Sequence, residues 1–332
     1  MHSREIVRRA IEFDSPPRLP FWQHVAPSAP DDVWEIWEMD RGEAGWFFDN
    51  AVMDDWGCQW AKTDQENMGQ VIGYPLEDWS AWDSYRLPDP RNPFYFKNVE
   101  ARLGESGDRY VMITSHFNLI ERLHMLRGFA AAMQDFYLEP TRVESVLDRI
   151  LQWKLDHFEE ASRWFGDRVH GVFLTDDWGT QQGTFVRRQV FDDFFAKRYA
   201  AMFEAVHSHG WHVILHSCGR INDFVPCLIE AGVDVLNMQQ PRAYGLVAFG
   251  EQFRGQVCFT VNADIQKTLP VGDPQEIREE VGLLVKHWGT PEGGILVADP
   301  GEPKELGVEP ESIQVMFDEF IKMQNYWQPA GQ

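Results

Sequence analysis

The chain has 332 residues, 44% of them hydrophobic and 14% aromatic, with 30 Lys+Arg against 52 Asp+Glu and a net charge of −22. A surface this acidic repels nucleic acid and anionic lipid, and no local cluster of Lys and Arg reverses it, so neither partner is expected. Four scattered cysteines make no disulfide scaffold at this length, and no run of 18 apolar residues offers a membrane span, so the expectation is a cytoplasmic protein with reduced thiols.

The opening "MHSREIVRRAIEF" predicts an amphipathic helix, with no apolar segment behind it of the kind a signal peptide needs. "LPFWQHV" (19–25) predicts the first strand. Residues 40–100, rich in Trp, Asp and Pro, fit neither strand nor helix period and are expected to form an insertion or cap. Short apolar runs then alternate with amphipathic stretches. Strands are predicted at "YVMITSH" (110–116), "GVFLT" (171–175), "HVILHS" (212–217), "VDVLNM" (233–238), "VCFTVN" (257–262) and "GILVA" (294–298). Helices are predicted at 139–164, 187–209, 221–231, 274–288 and 309–325, with Gly210 as a C-cap. Near-continuous apolar strands separated by helices read as a parallel sheet covered on both faces. Seven such units without a linker, and without a Gly-x-Gly-x-x-Gly after an early strand, favour one (β/α)₈ barrel domain over 1–332.

In such a barrel the active site lies at the C-terminal ends of the strands. The polar residues there are Gln23 and His24, His116 and Asn118, Asp176 and Asp177, His216 and Cys218, Asn237 and Gln239, Asn262 and Asp264, and Asp299 and Glu302. His216 and Cys218 stand two apart, on one face of an extended strand, so both can reach one zinc ion. The competing readings are a buried Cys beside a hydrogen-bonded His, or a Cys nucleophile that its strand neighbour is poorly placed to activate. Asp176 and Asp177, in "LTDDWGTQQGTF", can serve as acid/base groups or ligands. The next helix starts near Val186, too far along for either to be its cap. His207, His209 and His212 straddle a helix end, where the dipole favours histidine, and read as structural. Cys227 and Cys258 read as core.

These residues carry a family resemblance over nearly the whole chain. "RLPFWQHV", "LTDDWGTQQG", "LHSCGRINDFVPCLIEAGVDVLN" and "GILVADPGEPKELGVEPESI" resemble the first strand, Asp/aromatic/Gly loop, His-containing strand and final strand of the uroporphyrinogen decarboxylase superfamily. The resemblance implies a (β/α)₈ fold and one of two activities, porphyrinogen decarboxylation or zinc-dependent methyl transfer involving corrinoid proteins. The decarboxylases follow their first strand with an arginine-rich segment. This chain has Gln23-His24-Val25 and no arginine until Arg41. The methyltransferases carry His-x-Cys-Gly, as in His216-Ser217-Cys218-Gly219, and a Pro-Gly-Cys loop that here reads Pro300-Gly301-Glu302.

The resemblance therefore implies His216, Cys218 and Glu302 as zinc ligands, with Asp176 the first choice for a fourth. A carboxylate in place of a thiolate leaves the metal the stronger Lewis acid, which suits assistance to a leaving group. The expected reaction is demethylation of a small O- or N-methylated compound, with the methyl passed to a corrinoid protein. Asp176, Asp177 and His24 are the expected catalytic groups. Gln23, His116, Trp178 and Asn262 are expected to bind substrate, with Trp22 and Phe117 among the pocket walls. A homodimer is expected from the resemblance and the frequency of two-fold assembly. The alternatives are a metal-free decarboxylase or lyase on a small acid, and a non-catalytic ligand-binding member of the superfamily.

Overall fold

The computed structural model describes residues 1–37, 39, 42–44, 52–61, 69–301 and 306–325. In chain order the elements are α1 (Ser3–Ile11), β1 (Phe21–Trp22), β2 (Val33–Ile36), β3 (Gln59–Ala61), β4 (Gln70–Gly73), α2 (Phe94–Leu103), β5 (Tyr110–Ser115), α3 (Leu119–Arg127), α4 (Phe129–Leu138) and α5 (Pro140–Phe165). They continue with β6 (Gly171–Thr175), α6 (Arg188–Phe194), α7 (Ala196–Ser208), β7 (His212–His216), α8 (Val225–Ala231), β8 (Val235–Asn237), α9 (Pro241–Tyr244), α10 (Leu246–Phe253), β9 (Cys258–Val261), α11 (Thr268–Val271), α12 (Pro274–Trp288), β10 (Ile295–Ala298) and α13 (Pro310–Met323).

Eight strands, all parallel, run in the order β1-β10-β9-β8-β7-β6-β5-β2, while β3 and β4 form a separate antiparallel pair. The barrel seam falls between β1 and β2, where Asp32 holds it. Its backbone N–H donates to the Phe21 carbonyl at 2.7 Å, and its carboxylate accepts from the Phe21 N–H at 3.0 Å and from Arg18 at 2.6 and 2.8 Å. The architecture is thus the expected (β/α)₈ barrel. Its strands are buried on both faces, β5, β6, β9 and β10 along their whole length, which is why the parallel strands read as apolar runs.

The register sorts each strand into an outward and an inward row. Trp22, Val33, Tyr110, Met112, Phe173, Ile214, Val235, Cys258, Leu296 and Ala298 fill the barrel interior, and Val7 and Ile11 of α1 join the same cluster. The alternate residues, such as Val111, Ile113, Val172, Leu174 and Leu215, pack outward against the helices.

Two sequence expectations are corrected here. The eighth strand, β2, lies in "VWEIW", which carries a charge in mid-strand and was assigned no element. The helix expected over 187–209 is broken at Phe195 into α6 and α7. The 40–100 region, expected as an insertion or cap, holds the antiparallel β3–β4 pair and the start of α2 among its described residues. No helix among the described residues is long and apolar enough to cross a membrane.

Candidate metal centre at the barrel mouth

β6 and β7 lie side by side with Thr175 level with His216, so the loops leaving their C-terminal ends meet. The Asp176 N–H donates to the His216 carbonyl at 3.0 Å, Trp178 N–H to Ser217 Oγ at 3.1 Å, and Arg220 N–H to the Thr180 carbonyl at 2.8 Å. Two glycines allow this approach. Gly219 has φ +80°, and a Cβ there would sit 2.2 Å from the backbone C and O of Gly179. A Cβ on Gly179 would stand 3.2 Å from backbone atoms of Arg220.

The joined loops bring Asp177, His216 and Cys218 together, with one ligand atom from each within 4.8 Å of the others. His216 Nε2 is 3.3 Å from Cys218 Sγ and 3.6 Å from Asp177 Oδ1, while the Cys218 N–H donates to Asp177 Oδ1 at 2.7 Å. The far side of the imidazole is fixed as well. His216 Nδ1 lies 2.6 Å from Asn237 Oδ1, and Asn237 Nδ2 donates to Thr260 Oγ1 at 2.7 Å. An amide oxygen only accepts, so Nδ1 carries the proton and Nε2 is the ring nitrogen turned toward Cys218 and Asp177. This is the outer-shell arrangement that orients a metal-binding histidine.

Electrostatics agree with a cation site. Burial, then the Asp177 carboxylate and Glu121, push the Cys218 thiol well above its ordinary range. Burial, Asp177 and Asp176 do the same to the Glu121 carboxyl, which accepts from Thr175 Oγ1 at 2.9 Å. Anionic donors packed this closely oppose one another's ionisation, and a divalent cation relieves that opposition. A carboxylate oxygen, an imidazole nitrogen and a thiolate are all zinc donors, so the residues fit the ion.

The other expected site residues divide. Asp176 is fully buried and turned away from this cluster. Its carboxylate accepts the N–H groups of Leu119 (2.8 Å), Ile120 (3.2 Å) and Glu121 (2.8 Å), and the Tyr199 hydroxyl at 2.5 Å. It therefore caps α3 from another loop, where the helix dipole favours an anion, and is not placed as a fourth ligand. Burial outweighs these bonds and raises its carboxyl to about 6. Trp178 is not a pocket wall. It is wholly buried against Phe191, Phe195 and Phe224, and its Nε1 donates to Tyr199 Oη at 2.8 Å.

Gln23 spends its side chain on the turn after β1, donating to the carbonyls of Ala26, Ala29 and Pro30 and accepting from Val25 and Ala26. That leaves it no group for a substrate. His24 is exposed, and its backbone N–H donates to Asp299 Oδ2 at 3.0 Å. His116 is buried at the end of β5 among Trp37, Phe117 and Phe173, facing the interior. Asn262 is buried with its amide donating to the carbonyls of Gln239 and Ala263. Glu302 lies outside the described residues.

Sequence reasoning gave no site role to Glu35 or Glu121, both buried. For Glu35 the available signal is a carboxylate inside an apolar strand.

Fold and site together define a (β/α)₈ barrel with a candidate metal centre at its C-terminal mouth. The chain belongs to the uroporphyrinogen decarboxylase (URO-D) family, whose model matches residues 48–322. A solved methyltransferase from Methanosarcina mazei is similar over 97% of this chain and 99% of its own, at 12% identity and a TM-score of 0.70, a likeness of fold. Dispersin B overlaps 83% of this chain and 89% of its own at 10% identity, with a TM-score of 0.35 that is too low to mark a shared architecture. No curated protein matches the sequence.

Proposed function

We propose that the protein is a zinc-dependent methyltransferase that demethylates a small O- or N-methylated compound and passes the methyl to a corrinoid carried by a partner protein. The observation that carries this reading is the convergence of Asp177, His216 and Cys218 at the mouth, with Asn237 holding the His216 ring by its other nitrogen. Those three residues would hold the ion, and Glu302 is proposed as a further ligand. Zinc bound there supplies Lewis acidity for the departure of a heteroatom from its methyl group.

The chain's own residues do the rest. Asp177 ties the Cys218 backbone in place, Asn237 and Thr260 fix the imidazole, and Asp176 anchors the β6 loop to α3. The interior rings of Trp22 and Phe173, 5.4 Å apart, offer an apolar wall. Porphyrinogen decarboxylation is disfavoured because no arginine stands between β1 and Arg41 to hold a polycarboxylate. We also propose a cytoplasmic homodimer, which a dimer mass by light scattering at micromolar concentration supports and a monomer mass opposes.

The test is single-turnover methyl transfer from methylated donors to free cob(I)alamin, read by absorbance. Transfer that requires zinc supports the proposal. Zinc binding without transfer to any donor favours a ligand-binding role, and activity that survives full zinc removal favours metal-free chemistry.

A further inference from the structure

Glu35 occupies a place in the barrel that the metal ligands leave unused. It follows Val33 by two residues on β2, and the parallel register sets Val33 beside Tyr110 and Glu35 beside Met112. Val33, Tyr110 and Met112 all belong to the interior cluster. Glu35 therefore projects inward, one layer nearer the mouth than Val33.

Its side chain is only 6% exposed. Trp22 Nε1 donates to Oε2 at 3.2 Å, and the Trp37 indole stands beside the same carboxyl. Oε1 has no hydrogen-bond partner among the described residues. An unpaired buried polar oxygen costs about 1–3 kcal/mol, and such an atom needs a reason to persist. The titratable group acting on it is Asp299, beyond β10, while His116, at the end of β5, packs on Trp37 at 5.1 Å.

We propose that Glu35 is a catalytic acid at the barrel mouth, donating from Oε1 to a substrate ether oxygen, and that the site takes neutral O-methyl compounds rather than quaternary N-methyl ones. This rests on the methyl-transfer reading above and narrows it. Burial, with Asp299 adding like charge, outweighs the opposing Trp37 and Trp22 indoles and pushes the carboxyl up to about 8, so it holds a proton at neutral pH. An ether oxygen has a lone pair to accept that hydrogen, whereas a quaternary ammonium has none. In the transfer the O–CH₃ bond breaks with both electrons staying on oxygen. The methyl carbon bonds to the electron pair of a two-electron nucleophile, a Co(I) corrinoid. The Glu35 proton moves to the oxygen, giving a neutral alcohol or phenol. The carboxylate left behind takes a proton from water when product departs.

The experiment compares wild type with Glu35→Gln on anisole, 4-nitroanisole and tetramethylammonium, with cob(I)alamin as acceptor. The variant is expected to transfer methyl from anisole about 10²–10⁴-fold more slowly. It should lose far less on 4-nitroanisole, whose phenolate leaves without a proton, and change any tetramethylammonium rate by less than about twofold.

A second readout needs no turnover. The infrared difference between wild type and Glu35→Gln should contain a protonated-carboxyl band at neutral pH that anisole shifts to lower frequency. A shifted band without methyl transfer from any donor would reject the methyl-transfer reading and keep Glu35 as a donor to ethers. A missing band, a band that neither ether moves, or wild-type anisole turnover in the variant would overturn the assignment.

Discussion

Asp176 and Asp177 are neighbours in the chain and serve opposite sides of the same loop. Asp176 turns its carboxylate onto the N-terminus of α3, 2.8 Å from the Leu119 and Glu121 N–H groups, while Asp177 reaches across to the Cys218 N–H at 2.7 Å. One fixes the loop to the barrel wall, and the other faces the candidate metal centre. Asp176→Asn removes the charge from the helix terminus and aims an amide N–H₂ at donors that need an acceptor. It should cost about 2 kcal/mol of stability, read by denaturant unfolding, with zinc per chain unchanged. Zinc loss at unchanged stability would put Asp176 among the ligands.

Asn237 makes a separate prediction. Asn237→Ala frees His216 Nδ1, so the ring loses its fixed orientation and zinc affinity should fall about 10–100-fold, measured by competition with a chromophoric chelator. Asn237→Asp keeps an acceptor oxygen at that position and should retain most of the affinity. Equal affinities in Asn237→Ala and wild type would show that the hydrogen bond serves packing alone.

Gly219 and Gly183 provide a matched pair. A methyl at Gly219 collides with the Gly179 backbone in a positive-φ conformation, whereas at Gly183 it meets nothing within 4 Å. Gly219→Ala should lose about 1–3 kcal/mol from the backbone conformation alone, and more from the collision, with weakened zinc binding as the loops part. Gly183→Ala should stay within about 0.5 kcal/mol of wild type. Two variants that behave alike would contradict this account of the loop contact.

These residues show what the sequence could and could not reveal. The nearness of His216 and Cys218 was legible because the two-residue strand period puts them on one face, and seven of the barrel strands because burial on both sides makes them apolar runs. β2 was hidden by Glu35, the feature that gives that strand its chemical interest. Asp176 and Trp178 were drawn to the mouth by position alone. Their real partners, α3 and the aromatic cluster around Tyr199, are set by side-chain direction in the folded loop. Gln23 failed for a similar reason, since a short turn after β1 leaves its carbonyls and amides within reach of the side chain.

Glu35 also predicts a pH dependence of stability. Its carboxyl stands at about 8 in the folded chain, against an ordinary value of 4.5. Between those limits the folded protein keeps a proton that the unfolded chain has released, so this group's contribution to stability falls as pH rises. The slope is at most about 1.4 kcal/mol per pH unit from one group. Asp176, raised in the same direction, is present in wild type and Glu35→Gln alike and cancels in the comparison. The variant should therefore gain stability relative to wild type steadily from pH 5 to pH 8, followed by urea unfolding. A difference that stays constant with pH would contradict a buried, protonated Glu35.

Metal analysis of purified wild type beside Cys218→Ser decides whether Asp177, His216 and Cys218 hold zinc. A serine hydroxyl is nearly isosteric with the thiol but a far poorer ligand than a thiolate, so the barrel should fold while the ion is lost. Wild type is expected to carry about one zinc per chain and the variant a small fraction of that, with matching circular dichroism. Equal zinc in both proteins, or none in either after purification with zinc supplied, would contradict it.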